Sequence, residues 1–288
     1  MVWGVNETIE FRGGAGAIAA DRWTSDDGLA GRGAVLMLHG GGQTRHSWNR
    51  AAATLSRDGW TVYTLDARGH GDSDWAPDGD YQVDGLVDDL RGVIDQLGEI
   101  PVLFGASLGG MTGLIAEGEN PGLMRGLVLV DITPKVEPEG VKRIADFMQG
   151  NPDGFASLDE VADAVAAYQQ HRSRPSNIEG LRRNVRERSN GRLYWHWDPA
   201  FAQPGGMGDI ITSDHHGRMV AAARGVEVPT LLVHGGKSDI VSTDGVEELL
   251  GLIPHATAVN VSAAGHMVAG DDNAVFTMEV GGFLDGLT

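Results

Sequence analysis

The segment Gly105-Ala106-Ser107-Leu108-Gly109-Gly110 carries the strongest chemical signal in the chain. It follows the apolar run Val102-Leu103-Phe104 and precedes a stretch with helical spacing over 111–117, the setting in which a Gly-x-Ser-x-Gly turn presents a nucleophile. A serine on so sharp a turn has a strained backbone, and glycines two positions to either side let strand and helix approach closely. Neutral serine is a poor nucleophile, so the chemistry needs a base to take its proton and donors to hold the oxyanion that forms. The absence of cysteine removes thiol nucleophiles, thiolate metal sites and disulfides together. Adjacent His215 and His216 beside Asp214 do not read as a metal site, because neighbouring side chains point in different directions on a helix or strand. His70 lacks a carboxylate or metal-ligand partner at an interpretable spacing and reads as structural. No metal and no cofactor are expected.

The elements that must position Ser107 follow a regular rhythm. Residues 34–38 read as a buried strand running into His39-Gly40-Gly41-Gly42. Helical spacing at Trp48, Ala52 and Leu55 is stopped by Gly59, and a β-type pattern resumes over 60–65. A helix is predicted over 83–97, with Leu86, Val87, Leu90 and Ile94 on one face and Gly98 as its stop. A further strand is predicted over 127–130. Such alternation implies a parallel sheet with crossover helices, whose ligands gather at the carboxyl ends of the strands. After Asp131 the rhythm breaks, and Pro134 and Pro138 lead into a stretch of helical patterns without convincing strands. Strand patterns return over 230–233, running into His234-Gly235-Gly236, and over 256–261, ahead of Gly265-His266, with a last helix over 274–284. The predicted organisation is a core domain of residues 1–133 and 224–288, with 134–223 inserted as a helical cap.

From about Gly33 to its end, the chain resembles the α/β-hydrolase family, on the strength of the Ser107 motif and the order of the segments around it. The resemblance implies an α/β fold with a mostly parallel central sheet flanked by helices and an inserted helical cap. It implies a triad in chain order: Ser107 as nucleophile, Asp239 in the loop after the 230–233 strand as acid, and His266 after the last strand as base. Asp131 also ends a strand and is the reserve acid, because some relatives place theirs at that earlier point. The backbone N–H groups of Leu108 and Gly41 are implied as the oxyanion hole, with Gly42 as a substitute for Gly41. Asp66-Ala67-Arg68-Gly69-His70-Gly71-Asp72-Ser73 looks like a recurrent family loop with a structural role.

In the cap, Trp195, Trp197 and Phe147, with Met148 and Tyr168, are the candidate substrate-binding residues, while an arginine-rich run from Arg172 to Arg192 reads either as attracting an anionic substrate or, the favoured reading, as a solvated face docked on the acidic core. A serine nucleophile argues against the epoxide hydrolases and haloalkane dehalogenases of the family, which use aspartate. The implied activity is that of a carboxylesterase or lactonase, cleaving a small or medium carboxylic ester or lactone through an acyl-serine intermediate. Three alternatives stay open: carbon–carbon bond hydrolysis of the ring-cleavage type, a cofactor-free perhydrolase side activity, and a slow-turnover ligand receptor. Gln43-Thr44 stands where the carbon–carbon hydrolases usually carry Pro-Gly, and the aromatic residue usual in the perhydrolase oxyanion loop is absent.

Over 288 residues, 40 acidic side chains against 22 basic ones give a net charge of -18. That charge repels phosphate backbones and anionic lipid surfaces, so a small-molecule substrate is expected and neither nucleic acid nor a membrane. The first residues lack the basic and apolar stretches of a secretory leader, and no apolar run reaches the roughly 18 residues that span a bilayer. A cytoplasmic protein is expected.

Overall fold

The computed structural model describes residues 5–25, 31–168, 174–175, 177–203, 215–262, 264–266 and 273–287. The strands are β1 (Val5–Arg12), β2 (Ala17–Thr24), β3 (Ala34–Leu38), β4 (Thr61–Leu65), β5 (Val102–Ala106), β6 (Gly126–Val130), β7 (Val185–Glu187), β8 (Leu193–Trp195), β9 (Thr230–Gly235) and β10 (Thr257–Val261). Eight of them form one sheet in the order β1-β2-β4-β3-β5-β6-β9-β10. From β4 to β10 every pairing is parallel, and the hairpin of β1 and β2 joins antiparallel to β4. Parallel pairing puts all the carboxyl ends on one edge. Strand order reverses where β3 neighbours both β4 and β5, so the crevice of such a sheet opens between the loops that follow β3 and β5.

The central strands read as unbroken apolar runs because both faces are covered. Leu36, Leu103, Leu127, Leu129 and Leu232 face one side with α2 (Val83–Leu97), α3 (Leu108–Glu119) and the cap. Val35, Met37, Phe104, Val128 and Val233 face the other, with α1 (Asn49–Arg57) and the last helix (Asn273–Asp285). The sequence-predicted helix over 83–97 has those bounds, and Gly98 ends it in the left-handed conformation (φ 71°) that glycine adopts without strain.

The inserted segment differs from the expectation in two respects. It carries α4 (Pro138–Gln149) and α5 (Leu158–Tyr168), and it also contains the antiparallel ribbon of β7 and β8, extended by a bridge between Phe155 and Leu193. Three-residue strands are too short to show a period. The helix α6 (His215–Gly225), assigned to the cap by its place in the sequence, packs against α3 of the core: the backbones of Gly118 and Ala222 meet so closely that a Cβ on Gly118 would strike the Ala222 carbonyl. By this packing α6 belongs with the core, although its His215, His216 and Met219 also line the cavity at Ser107. Arg172 and Asp214 lie outside the described residues.

Close packing also fixes the turn between β5 and α3. A Cβ on Gly109 would stand 2.5 Å from Leu38 Cβ and 2.6 Å from the Leu38 carbonyl oxygen, and Gly109 N–H donates to the His39 carbonyl (3.2 Å). Gly109→Ala should therefore cost about 1–3 kcal/mol of stability through overpacking. Urea denaturation checks this, and an unchanged midpoint would contradict the close approach.

Candidate active site

Ser107 stands between β5 and α3 with φ 46° and ψ -110°, a conformation that costs a residue with a Cβ of order 1–3 kcal/mol. Asp131, at the end of the neighbouring β6, also has positive φ (49°) and is fully buried. Two non-glycine residues in this rare conformation thus sit at adjacent strand ends. His266, beyond β10, brings Nδ1 to 2.6 Å from Asp131 Oδ2. The same carboxylate accepts from Gly235 N–H (2.8 Å) and from the Ser238 hydroxyl (2.5 Å), so it is held at the end of β9 as well as at its own strand. Ser107 and His266 line one cavity. No hydrogen bond joins Ser107 Oγ to His266 among the described residues, and proton transfer asks for a hydroxyl rotamer that closes this gap in the substrate complex.

The expectation that Asp239 partners the histidine is corrected by this geometry. Asp239 pairs with Arg143 of α4 at 2.7 Å, and Gly140, one turn earlier, packs on the Asp239 backbone. Its carboxylate is thereby held at the base of the cap. Asp131, the reserve candidate, occupies the position at His266. The Asp239 charge, after burial, helps to push the Tyr168 hydroxyl up to about 12.

The loop after β3 lies directly beside Ser107. A Cβ on Gly40 would come 3.3 Å from Ser107 Cβ, so the loop backbone runs in tight contact with the Ser107 side chain. Gly41 lines the same cavity as Ser107 and His266, and Leu108 N–H is at the first position of α3, where a helix offers its N–H groups no internal acceptor. Gly42, the alternative donor, is committed elsewhere: its N–H donates to His70 Nε2 at 3.1 Å.

That bond belongs to a network the sequence reading missed in part. His39, His70 and His196 are buried side by side, with centroids 5.2 Å and 5.8 Å apart along the row. His39 donates from Nδ1 to Gly40 O (2.8 Å) and accepts at Nε2 from Ala67 N–H (3.0 Å). His70 donates from Nδ1 to Arg68 O (3.2 Å) while accepting from Gly42. His196, carried by the cap, accepts at Nδ1 from Gly71 N–H (2.8 Å) and donates from Nε2 to Gly42 O (3.3 Å). Each ring donates once and accepts once, which fixes it as neutral in one tautomer. Burial, then the neighbouring imidazoles, lowers the proton affinity of His70 and takes His196 down to about 3. The structural reading of His70 is thus given its content: the imidazoles hold the glycine loop between core and cap.

A histidine whose folded pKa is depressed contributes stability that is fully present above its unfolded value near 6.5 and is lost as pH falls towards the folded value. The unfolded chain binds more protons across that window, so stability should fall between pH 6.5 and 5, by up to about 1.4 kcal/mol per pH unit for each such imidazole. His196→Gln should show a shallower slope in the thermal transition across this range. An unchanged slope would contradict a neutral buried His196.

Other residues of the 66–73 loop are structural in the same way. Arg45 is buried against Asp66, Asp21 (3.1 Å) and Asp72 (2.8 Å), and Asp72 reaches across to Arg186 of the cap at 2.6 Å. Arg68 forms a two-pronged pair with Asp89 (2.6 and 2.8 Å). Tyr81 Oη donates to Asp198 of the cap at 2.6 Å.

Two chambers meet at Ser107. One, of about 290 Å³, is lined by Gly41, Gln43, His46, Phe147, Tyr168, Arg183, Asn184 and His266. The other, of about 430 Å³, is walled mostly by apolar side chains, including Leu108, Met111, Ile132, Val141, Met219 and Ile240. Phe147 and Tyr168 therefore reach the cavity as the sequence suggested. Trp195 and Trp197 do not line either chamber: they stack on each other (centroids 5.0 Å, planes 13° apart) behind Phe147, as the buried core of the cap. Met148 is buried with them. Among the described residues no cluster of three metal-ligating side chains occurs, and no helix is long and apolar enough to cross a membrane.

Comparison with known proteins agrees with this architecture. The family model described as alpha/beta hydrolase fold matches residues 33–272. An esterase of Mycobacterium tuberculosis is 31% identical over 281 residues, spanning 94% of this chain and 87% of its own. The mouse sn-1-specific diacylglycerol lipase is 30% identical over 270 residues, spanning 90% and 83% respectively. Among solved structures, an alpha/beta hydrolase of Novosphingobium aromaticivorans superposes with a TM-score of 0.82 at 25% identity, covering 99% of each chain.

Proposed function

The chain is an ester-acting member of the α/β-hydrolase family, and on that premise we propose that it hydrolyses small or medium carboxylic esters or lactones through an acyl-serine intermediate. The observation that carries this reading is the 2.6 Å contact between His266 and the buried Asp131, on the cavity that also holds Ser107. Asp131 accepts the Nδ1 proton of His266, which leaves Nε2 with its lone pair on the substrate side. Ser107 Oγ attacks the ester carbonyl as its proton passes to His266 Nε2. Negative charge gathers on the carbonyl oxygen, where Leu108 N–H and Gly41 N–H are the donors; losing one such donor typically raises the barrier by about 2.7–4 kcal/mol. The C–O bond to the alcohol then breaks, and His266 returns the proton to the leaving oxygen. Water, activated by the same imidazole, attacks the acyl-serine, releases the carboxylic acid and restores Ser107.

The leaving oxygen must come within hydrogen-bond reach of His266, which lines the chamber of about 290 Å³ and not the other. The alcohol half of the substrate is therefore assigned to that chamber and the acyl half to the apolar one of about 430 Å³. In a series of p-nitrophenyl esters, kcat/KM should rise by about three- to fourfold for each methylene that the apolar chamber buries, and fall once it is full. A folded protein that hydrolyses none of the series in a Ser107-dependent way would overturn the reading.

A further inference from the structure

The chamber assigned to the alcohol is built unlike the acyl chamber. Arg183 and Asn184 of the cap line it together with His46 and Gln43 of the core, and none of its described lining residues is an aspartate or glutamate. Arg183 is exposed, and among the described residues no carboxylate lies within ion-pair distance of its guanidinium. Its neighbours differ: Arg182 pairs with Glu179 at 3.0 Å, and Arg186 pairs with Asp72 at 2.6 Å. In a chain with 40 acidic residues and 22 basic ones, Arg183 thus stands on the cavity wall without a carboxylate partner among the described residues. The Arg183 charge also acts into the chamber, because it joins burial and Arg45 in lowering the proton affinity of His46. His46, whose Nδ1 stands 3.6 Å from Asp21, adds a polar ring to the wall.

Resting on the acyl-serine reading above, we propose that Arg183, with Asn184 and His46 beside it, binds an anionic group on the leaving alcohol, so that the substrate is an ester joining an apolar acid to a negatively charged alcohol. A carboxylate and a phosphate monoester present the same chemistry to a guanidinium, two oxygens spaced for its paired N–H donors. The partition follows from the two walls: in the mostly apolar chamber the lining Lys135 is paired with Asp244 (3.0 Å) and His216 with Glu248 (3.1 Å), whereas the chamber that His266 lines holds Arg183, for which no described carboxylate is within ion-pair distance.

The test compares three butanoyl esters: those of 4-hydroxybenzoate, of 4-hydroxyphenyl phosphate and of neutral 4-hydroxybenzamide. For the wild-type protein, kcat/KM on at least one anionic ester should exceed that on the amide by about tenfold or more, with the difference in KM. Which anion gains more distinguishes carboxylate from phosphate. Arg183→Ala should abolish that ratio and Arg183→Glu should invert it, with both variants keeping the wild-type thermal transition because the side chain is exposed. A ratio near one in the wild type, or a preference that survives in Arg183→Glu, overturns the proposal while leaving the hydrolase reading intact. Absence of Ser107-dependent hydrolysis of all three esters overturns both.

Discussion

Ser107→Ala should lower kcat on a p-nitrophenyl ester by about a millionfold, the scale on which removal of an activated serine acts in serine hydrolases generally. The variant should also fail to take a fluorophosphonate label, and its thermal transition should stay close to the wild-type value. Folding is spared because the Ser107 hydroxyl makes no hydrogen bond among the described residues and the turn is held by backbone and glycine contacts: Ser107 N–H donates to the Val130 carbonyl (3.0 Å), and Gly109 seats on Leu38. Alanine keeps the Cβ and with it the same cost of a positive φ at this position. Labelling that persists in the variant would assign the nucleophile to another residue.

Asp131→Asn should cost about 10⁴-fold in kcat, while Asp239→Asn should leave it within a few-fold of wild type. The difference lies in hydrogen-bond direction. Asp131 Oδ2 accepts from both His266 Nδ1 and the Ser238 hydroxyl, and an asparagine NH₂ at that position would donate instead. His266 would then have to accept at Nδ1 and carry its proton on Nε2, the nitrogen that must receive the proton of Ser107. At Asp239 the change breaks only a partly exposed pair with Arg143, an interaction of the kind worth about 0–1 kcal/mol. Steady-state kinetics of the two variants, with circular dichroism to confirm their fold, decide the matter. A larger loss in Asp239→Asn would return the acid to that loop.

The contrast between these two aspartates marks the limit of what was legible in the chain. Both follow apolar strands and both precede His266, so order and residue type fit either one. What separates them is how the ends of β6 and β9 face the loop after β10, together with Gly140 and Arg143 of α4, which occupy the Asp239 loop. Neither is a local property. The turn at Ser107, by contrast, is legible because strand, glycines and helix are contiguous in the sequence. The helix over 83–97 was legible for the same reason, through its period and its terminal glycine.

The cap was read least well. Trp195 and Trp197 have the residue type of a pocket wall, but in β8 and the segment after it they point into the layer between Phe147 and Phe155. His196 between them faces the opposite way, as strand alternation requires, and so meets the core at Gly42 and Gly71. That partnership spans more than a hundred residues and leaves no spacing signal. The hairpin of β1 and β2 also went unread, although Gly13 and Gly14 lie at its turn and the register runs from Val5 opposite Thr24 to Arg12 opposite Ala17. In β1, at the edge of the sheet, exposed Glu10 and Arg12 alternate with Ile9 and Phe11, and the apolar run of β2 is broken by Asp21 and Arg22, a weaker pattern than the apolar runs of the centre.

The central claim is that Ser107 carries the acyl group during turnover. The most direct measurement mixes the protein with p-nitrophenyl butanoate, quenches it in acid within the first turnover, and locates any added mass by peptide mapping. The account predicts a gain equal to one butanoyl group on the peptide that contains Ser107, appearing together with a burst of p-nitrophenol. A burst without that adduct, or a butanoyl group on any other side chain, would contradict it.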